Sequence, residues 1–233
     1  MDIQHHAFSQ LLLRRYSCRD FLPEPVPERL LRDMVALART APSSANLQPG
    51  KLYALTGEPL ERVISSLSDI VASQSPEPLA YSYFPDPMPT YLKERQREAG
   101  YALYSALNIK RRDVAARKQQ FAANYRFFDA PVGIVITIDK QMGSGCYMDL
   151  GMLIMSLLMS AECAGYGSCV IGALSHYGSA IHRLLSLPDG EQVVCGIAIG
   201  RANQEAAVNQ FRTSRITLDD FATFHGFNAQ ERQ

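Results

Sequence analysis

Neither sign of charge is in excess: the 233 residues carry 23 lysines and arginines against 23 aspartates and glutamates. A surface for a polyanion ordinarily leaves a basic surplus, so nucleic acid and membrane are not expected as partners. A small anion held by a local arginine cluster remains open. Long apolar runs are missing too. The longest, Leu150 to Ala161, lies between Asp149 and Glu162 and is too short to cross a bilayer. The amino-terminal MDIQHHAFSQLLLRRYS has no basic residues before its apolar run, unlike a secretory signal. A soluble, cytoplasmic chain is expected. The five cysteines (Cys18, Cys146, Cys163, Cys169, Cys195) are odd in number and form no CxxC pair. That points to reduced thiols rather than a disulfide frame or a zinc site, and no metal centre is expected. GxSxG, P-loop and HExxH motifs are absent, as are internal repeats.

What is present reads as an alternation of helices and strands. Ile3, Phe8, Leu11 and Leu12 predict a helix over 2–15. Pro23, Pro25 and Pro27 keep 16–27 a loop, and Pro27 suits the first turn of a helix running to about Arg39. A strand over 51–55 and a helix over 58–73 follow. Residues 75–89, rich in proline and aromatics, should be irregular. A polar helical stretch over 91–123 should break near Asn108. Strands are expected over 131–138, 168–171 and 193–199, a helix over 147–164, and a short helix in the tail from Thr217. Without a regular βαβ rhythm, the fold class is α+β, a sheet sandwiched by helices. One domain should span 1–233, with about 75–117 an excursion within it.

Several features stand apart. The loop RTAPSSANLQP, Arg39 to Pro49, gathers more hydrogen-bonding groups than a turn needs. The helix over 147–164 is apolar nearly all round and holds methionines at 148, 152, 155 and 159. It is either a central core helix or one that also meets a second subunit. Gly165 and Gly167 follow a helix and precede a strand, the reverse of a dinucleotide fingerprint, and read as a cap and turn. Arg14, Arg15 and Arg19 surround Tyr16 and Ser17, while Arg212 and Arg215 lie near the other end of the chain. Planar guanidinium forks with a serine hydroxyl suit phosphate, though solvated helix ends would look the same. His176 lies past a strand end, where it either faces a ligand or simply packs.

Five segments then carry a resemblance: RRYSCRDF (14–21), APSSANLQP (41–49), FFDAPVGIVI (127–136), DLGMLIMSLLMSAECAGYGSCVIGA (149–173) and SRITLDDF (214–221). Their order and spacing resemble the nitroreductase family of FMN enzymes along nearly the whole chain. The resemblance implies a central, mostly antiparallel sheet between helices, in an intertwined homodimer with FMN at the subunit interface. By motif, Arg15, Ser17 and Arg19 would meet the phosphate and the pyrimidine edge, and Arg215 would join Arg15. Pro42, Ser43, Ser44 and Asn46 would reach the flavin from the partner subunit. Leu174 and Ser175 would offer backbone groups near N5, and Asn124 or Arg126 would approach the ring.

The implied activity is a ping-pong oxidoreductase passing hydride from NADH or NADPH, through flavin N5, to nitroaromatic or quinone-like acceptors. Its substrates would be small, planar and electron-poor. No side chain is implied as the catalytic group; Arg19 and Arg126 would stabilise charge. Relatives of different chemistry leave reductive dehalogenation, oxygen-dependent flavin breakdown or non-catalytic FMN binding as alternatives. The chain departs from the family pattern at Gly50, where many relatives carry tryptophan; this sequence has none. The aromatics of the 75–117 excursion would form either a lid over flat substrates or ordinary packing.

Overall fold

The computed structural model describes residues 6–73 and 79–227. Four strands form one antiparallel sheet in the order β1-β2-β4-β3. They are β1 (Lys51–Leu55), β2 (Val132–Asp139), β3 (Gly167–Ile171) and β4 (Glu191–Gly200). Their β-branched content suits a pleated, buried layer. β2 and β4 sit in the middle and are buried along almost their whole length.

Alternation along β2 divides the core in two. Ile134, Ile136 and Ile138 point to one face, with Met34 and Ala38 of α2 (Glu28–Ala38) and Leu150 and Leu157 of α6 (Ser144–Cys163). Val135 points to the other face, with Leu60, Val63 and Leu67 of α3 (Gly57–Ser73) and Ile181 of α7 (Gly178–Leu184). Phe127 is fully buried on that second face. Its ring lies over Gly133 and Gly196, where an added Cβ would come within about 3.0 Å of it.

The remaining helices are α1 (Ala7–Arg14), α4 (Thr90–Ala106), α5 (Val114–Ala122), α8 (Ala207–Gln210) and α9 (Leu218–Phe221). The predicted break near Asn108 is present, and Asn108 takes a left-handed φ of 54°. The first helix is seen from Ala7; Ile3, on its predicted apolar face, lies outside the described residues. So does part of the expected irregular stretch 75–89.

One expectation changes materially. The helix predicted over 147–164 begins at Ser144 and runs for 20 residues. By length and composition alone it can cross a membrane, which the shorter apolar run cannot. Here one face, with Leu150, Leu157 and Leu158, packs into the core beside the sheet and α2. The other face leaves Met148, Met152 and Met155 exposed, Met148 at 72%. Its buried side serves the core; its outer side is uncovered in a single chain.

Candidate active site

The arginine cleft is assembled from both ends of the chain. α1 delivers Arg15 as its C-cap residue. The following segment then joins the outer strand: Ser17 bridges Ser168 of β3 in parallel, and the Cys18 N–H donates to the Ser168 carbonyl at 3.0 Å. Gly167 permits this approach, because a Cβ there would stand 3.0 Å from Cys18. Cys18 is wholly buried, and burial pushes its thiol up to about 12, so it stays protonated and packs as a small apolar group.

Beyond this anchor, Arg15, Ser17, Arg19, Thr213 and Arg215 line one cleft of about 350 Å³. Arg212 also lines it, its guanidinium 3.8 Å from the centre of the Tyr16 ring, a close cation–π stack. The Arg215 Nη1 group donates to the Thr213 carbonyl, the Thr213 hydroxyl and the Ser214 carbonyl at 3.1, 2.8 and 2.9 Å. Arg19 donates to the Ser17 carbonyl at 3.2 Å. Among the described residues no carboxylate pairs with Arg15, Arg19, Arg212 or Arg215, so the cleft they line is rich in positive charge. Planar donors around a hydroxyl are the set a phosphate monoester requires.

The serine-rich loop lines a different cleft, of about 450 Å³, through Pro42, Ser43 and Gln48 beside Lys51 and Asp149. Ser44 to Asn46 form a short 3-10 turn, and Ala45, Asn46 and Gln48 take positive φ of 49°, 54° and 49°. Such angles are uncommon outside glycine and need outside support. Two hydrogen bonds supply it: the Gln48 N–H donates to Ser43 Oγ at 2.9 Å, and the Ser44 N–H to Asp149 Oδ2 at 3.1 Å. Asp149 is a buried carboxylate on α6. Sequence reasoning placed it only at the head of a motif, although an acid inside an apolar helix signals a specific partner. Gly50 follows with φ 97°, and a Cβ there would meet Leu150 at 2.4 Å. The loop in this chain is thus built for glycine at position 50.

Leu174 and Ser175 lie in the 3-10 segment Gly172–Tyr177 that ends β3, and both are buried. The Ser175 hydroxyl donates to the Gly172 carbonyl at 2.8 Å. His176 is half-buried in the same segment. Above it sit aromatics of the 75–117 excursion: the Tyr83 ring lies so close to Gly172 that a Cβ there would come within 2.7 Å. A β-bulge explains how this cover is fixed. Ile136 pairs with Cys195 and Thr137 with Val193, leaving Val194 without a cross-strand partner. Its carbonyl accepts instead from the Tyr81 hydroxyl at 2.5 Å. Tyr81 packs in turn on Tyr83 and Tyr147, with centroids 6.3 and 5.7 Å apart. Burial raises the Tyr81 hydroxyl well above its ordinary range, which keeps it a donor.

Asn124 and Arg126 belong to the 3-10 segment Ala123–Asp129 and bond locally. Asn124 donates to the Phe121 carbonyl at 2.7 Å, and Arg126 forks onto Asp129 at 3.1 and 3.2 Å. Neither is among the residues lining the arginine cleft. Phe127, Phe128 and Asp129 in succession take φ of 52°, 53° and 58°. The Phe128 ring comes 6.0 Å from the Arg19 guanidinium. All five cysteines are free, and no group of metal-ligating side chains occurs among the described residues.

Comparison with known proteins identifies the family and the fold. A model of the family described as "Nitroreductase family" matches residues 12–201. The chain is 33% identical over 221 residues to a 4-nitrobenzoate reductase of Pseudomonas putida, covering 95% of this chain and 96% of the relative. It is 34% identical over 216 residues to a chloronitrobenzene nitroreductase of Comamonas testosteroni, covering 92% and 95%. Among solved structures, an FMN and NADPH-dependent nitroreductase NfnB from sphigopyxis sp. strain HMH matches with TM-score 0.92 at 33% identity, over 95% of this chain and 100% of the other. An FMN-dependent nitroreductase NfnB from Mycobacterium smegmatis, solved with NADPH, matches with TM-score 0.88 at 27% identity, over 92% and 96%.

Proposed function

Because the chain belongs to the nitroreductase family, we propose that it is an FMN-dependent oxidoreductase carrying electrons from NADH or NADPH to nitroaromatic or quinone-like acceptors. The observation that carries this reading is the single cleft shared by Arg15, Ser17, Arg19 and Arg215. Its donor set fits the phosphate of FMN. Held there, FMN would supply the redox chemistry, hydride transfer at N5 in a ping-pong cycle between the nicotinamide and the acceptor.

The chain's own residues hold and tune that cofactor. Arg15 and Arg215 bind the phosphate, with the Ser17 hydroxyl beside them. Arg19, and Arg126 if it leaves Asp129, offer positive charge to the pyrimidine edge, where reduction places negative charge. Leu174 and Ser175 would present backbone groups to the N5 edge, and Asn124 or Arg126 would approach the ring. Tyr81, Tyr83 and Phe84 roof this region as part of a lid-like excursion, described from residue 79, within one domain. Flat apolar rings exclude water and favour small, planar, electron-poor acceptors.

A homodimer completes the site. Ser43 lines a cleft separate from that of Arg15 and Arg215, as do Pro42 and Gln48. Pro42, Ser43, Ser44 and Asn46 of one subunit therefore serve the flavin of the other. The exposed Met148, Met152 and Met155 of α6 supply an apolar face for the second copy. Five free thiols suit a reducing compartment, and we place the enzyme in the cytoplasm.

The test is an absorption spectrum of the purified protein, followed by anaerobic titration with NADH and NADPH and turnover of a nitroaromatic. Yellow protein, bleached by one of the dinucleotides and reoxidised by the nitro compound, is the expected result. Protein that cannot be loaded with FMN would overturn the reading.

A further inference from the structure

Asn209 is 1% exposed, yet every polar atom of its side chain is engaged. Its Oδ1 accepts from the Arg19 N–H at 2.8 Å. Its Nδ2 donates to the Asp20 carbonyl at 2.8 Å and to the Asn203 carbonyl at 2.9 Å. The Asn209 carbonyl accepts from Arg212 Nη1 at 2.8 Å. Asn203 grips the same segment from its other side. Its N–H reaches the Asp20 carbonyl at 3.1 Å, and its Nδ2 reaches Asp20 Oδ1 at 3.0 Å.

These bonds join the two halves of the arginine cleft. One half, Arg15 to Arg19, comes from the start of the chain; the other, Arg212 to Arg215, comes from near its end. Guanidinium groups gathered in one cleft repel one another, so the halves need a tie that does not neutralise them. A carboxylate at 209 would carry negative charge beside an anion site and could not donate to the two carbonyls. An aliphatic side chain would leave the buried Arg19 N–H without its acceptor and would take one donor from each of the two carbonyls. A carboxamide accepts once, donates twice and carries no charge.

We propose that Asn209, backed by Asn203, is the positioning residue that holds the phosphate-binding guanidinium groups in one cleft. The pair thereby sets the preference for FMN over riboflavin, the same ring system without the phosphate. This rests on the FMN reading given above. Asn209 touches no phosphate itself; it fixes the Arg19 backbone and the Arg212 guanidinium, and with them the two segments that carry Arg15, Ser17 and Arg215.

The experiment measures the affinity of the flavin-free protein for FMN and for riboflavin by fluorescence quenching. Wild type is compared with Asn209→Ala, Asn209→Asp and Asn203→Ala. Asn209→Ala and Asn209→Asp should lower the FMN-to-riboflavin preference by about tenfold or more, with FMN affinity falling much further than riboflavin affinity, as expected for misplaced charge-assisted bonds to the phosphate. Asn203→Ala, at a half-buried site, should shift the ratio in the same direction by less. Equal loss of both affinities would assign Asn209 a merely structural role and overturn the proposal, as would an unchanged ratio in all variants. If circular dichroism shows both Asn209 variants unfolded, the Asn203→Ala ratio decides alone. A wild type without preference for FMN would instead remove the phosphate cleft, and the clamp with it.

Discussion

Arg15 and Arg215 line the same cleft, although one caps the first helix and the other lies in the carboxy-terminal tail. The Arg215 guanidinium is held by carbonyl and hydroxyl oxygens of its own tail, with donors left over for an anion. Arg215→Ala should weaken FMN binding by about 1.5–3 kcal/mol, the range for a hydrogen bond to a charged group. Equilibrium titration of the flavin-free protein checks this, and unchanged affinity would reject the role.

The outer face of α6 should be a subunit interface. Met152 and Met155 are 40% and 37% exposed in the single chain. Met152→Glu or Met155→Glu would place a carboxylate in an apolar contact without a counter-charge. The dimer dissociation constant should rise at least about tenfold, because burying an unpaired carboxylate is costly. Sedimentation velocity reads the dimer, and bound flavin should fall with it. A dimer of unchanged strength would relocate the interface.

Gly50 cannot take a side chain without displacing Leu150 or leaving its φ of 97°. Gly50→Ala should destabilise the fold by about 1–3 kcal/mol through overpacking and backbone strain. Gly50→Trp should cost more, because a larger side chain meets Leu150 at the same left-handed φ. Urea denaturation at constant m-value is the measurement.

Glu191 is a buried carboxylate that accepts from Lys51 at 2.5 Å, Thr137 at 2.6 Å and Tyr53 at 2.8 Å. Burial alone would raise its pKa, but these three hydrogen bonds and the Lys51 charge outweigh it and hold it below the ordinary carboxylate value. Stability from Glu191 is therefore fully present above its unfolded pKa of about 4.3, and is lost as pH falls through the lower folded value. Lys51 is shifted upward, mainly by its hydrogen bond to Glu191, so its contribution is lost only as pH rises through its folded value in the alkaline range. Glu191→Gln should cost about 1–3 kcal/mol at neutral pH and flatten the acid limb of a stability–pH curve. An acid limb identical to wild type would show that Glu191 does not govern it.

The lid should loosen when Tyr81 loses its hydroxyl. Tyr81→Phe leaves the bulge carbonyl of Val194 without its partner, at a cost of about 1–3 kcal/mol. Hydrogen exchange over residues 79–84 should accelerate while the central strands keep their protection. Exchange that stays at the wild-type rate would mean that ring packing alone fixes the lid.

Much of the scaffold was legible because its signals are local. Runs such as PVGIVITI and the apolar face of α2 fall where a strand and a helix occur. The prolines of 23–27 and the cap glycine Gly165, at φ 79°, mark element ends as their backbone chemistry requires. Asn209, Asn203 and Asp149 were not legible as site residues. Each acts through a partner far along the chain: Arg19 is 190 residues from Asn209, and Ser44 is 105 from Asp149. An asparagine beside an alanine-rich turn carries no sign of which buried N–H it will meet.

The amino-acid order by itself determined the element sequence, the apolar faces and the stock of guanidinium and hydroxyl groups, since periodicity and turn chemistry depend on near neighbours. Only the tertiary structure decided that Arg15 and Arg215 share a cleft while Ser43 lines another. It also decided that α6 turns its methionines outward and that Tyr81 seals a bulge. Those outcomes depend on which distant backbone groups are left without partners once the sheet has formed, and a linear pattern does not encode that.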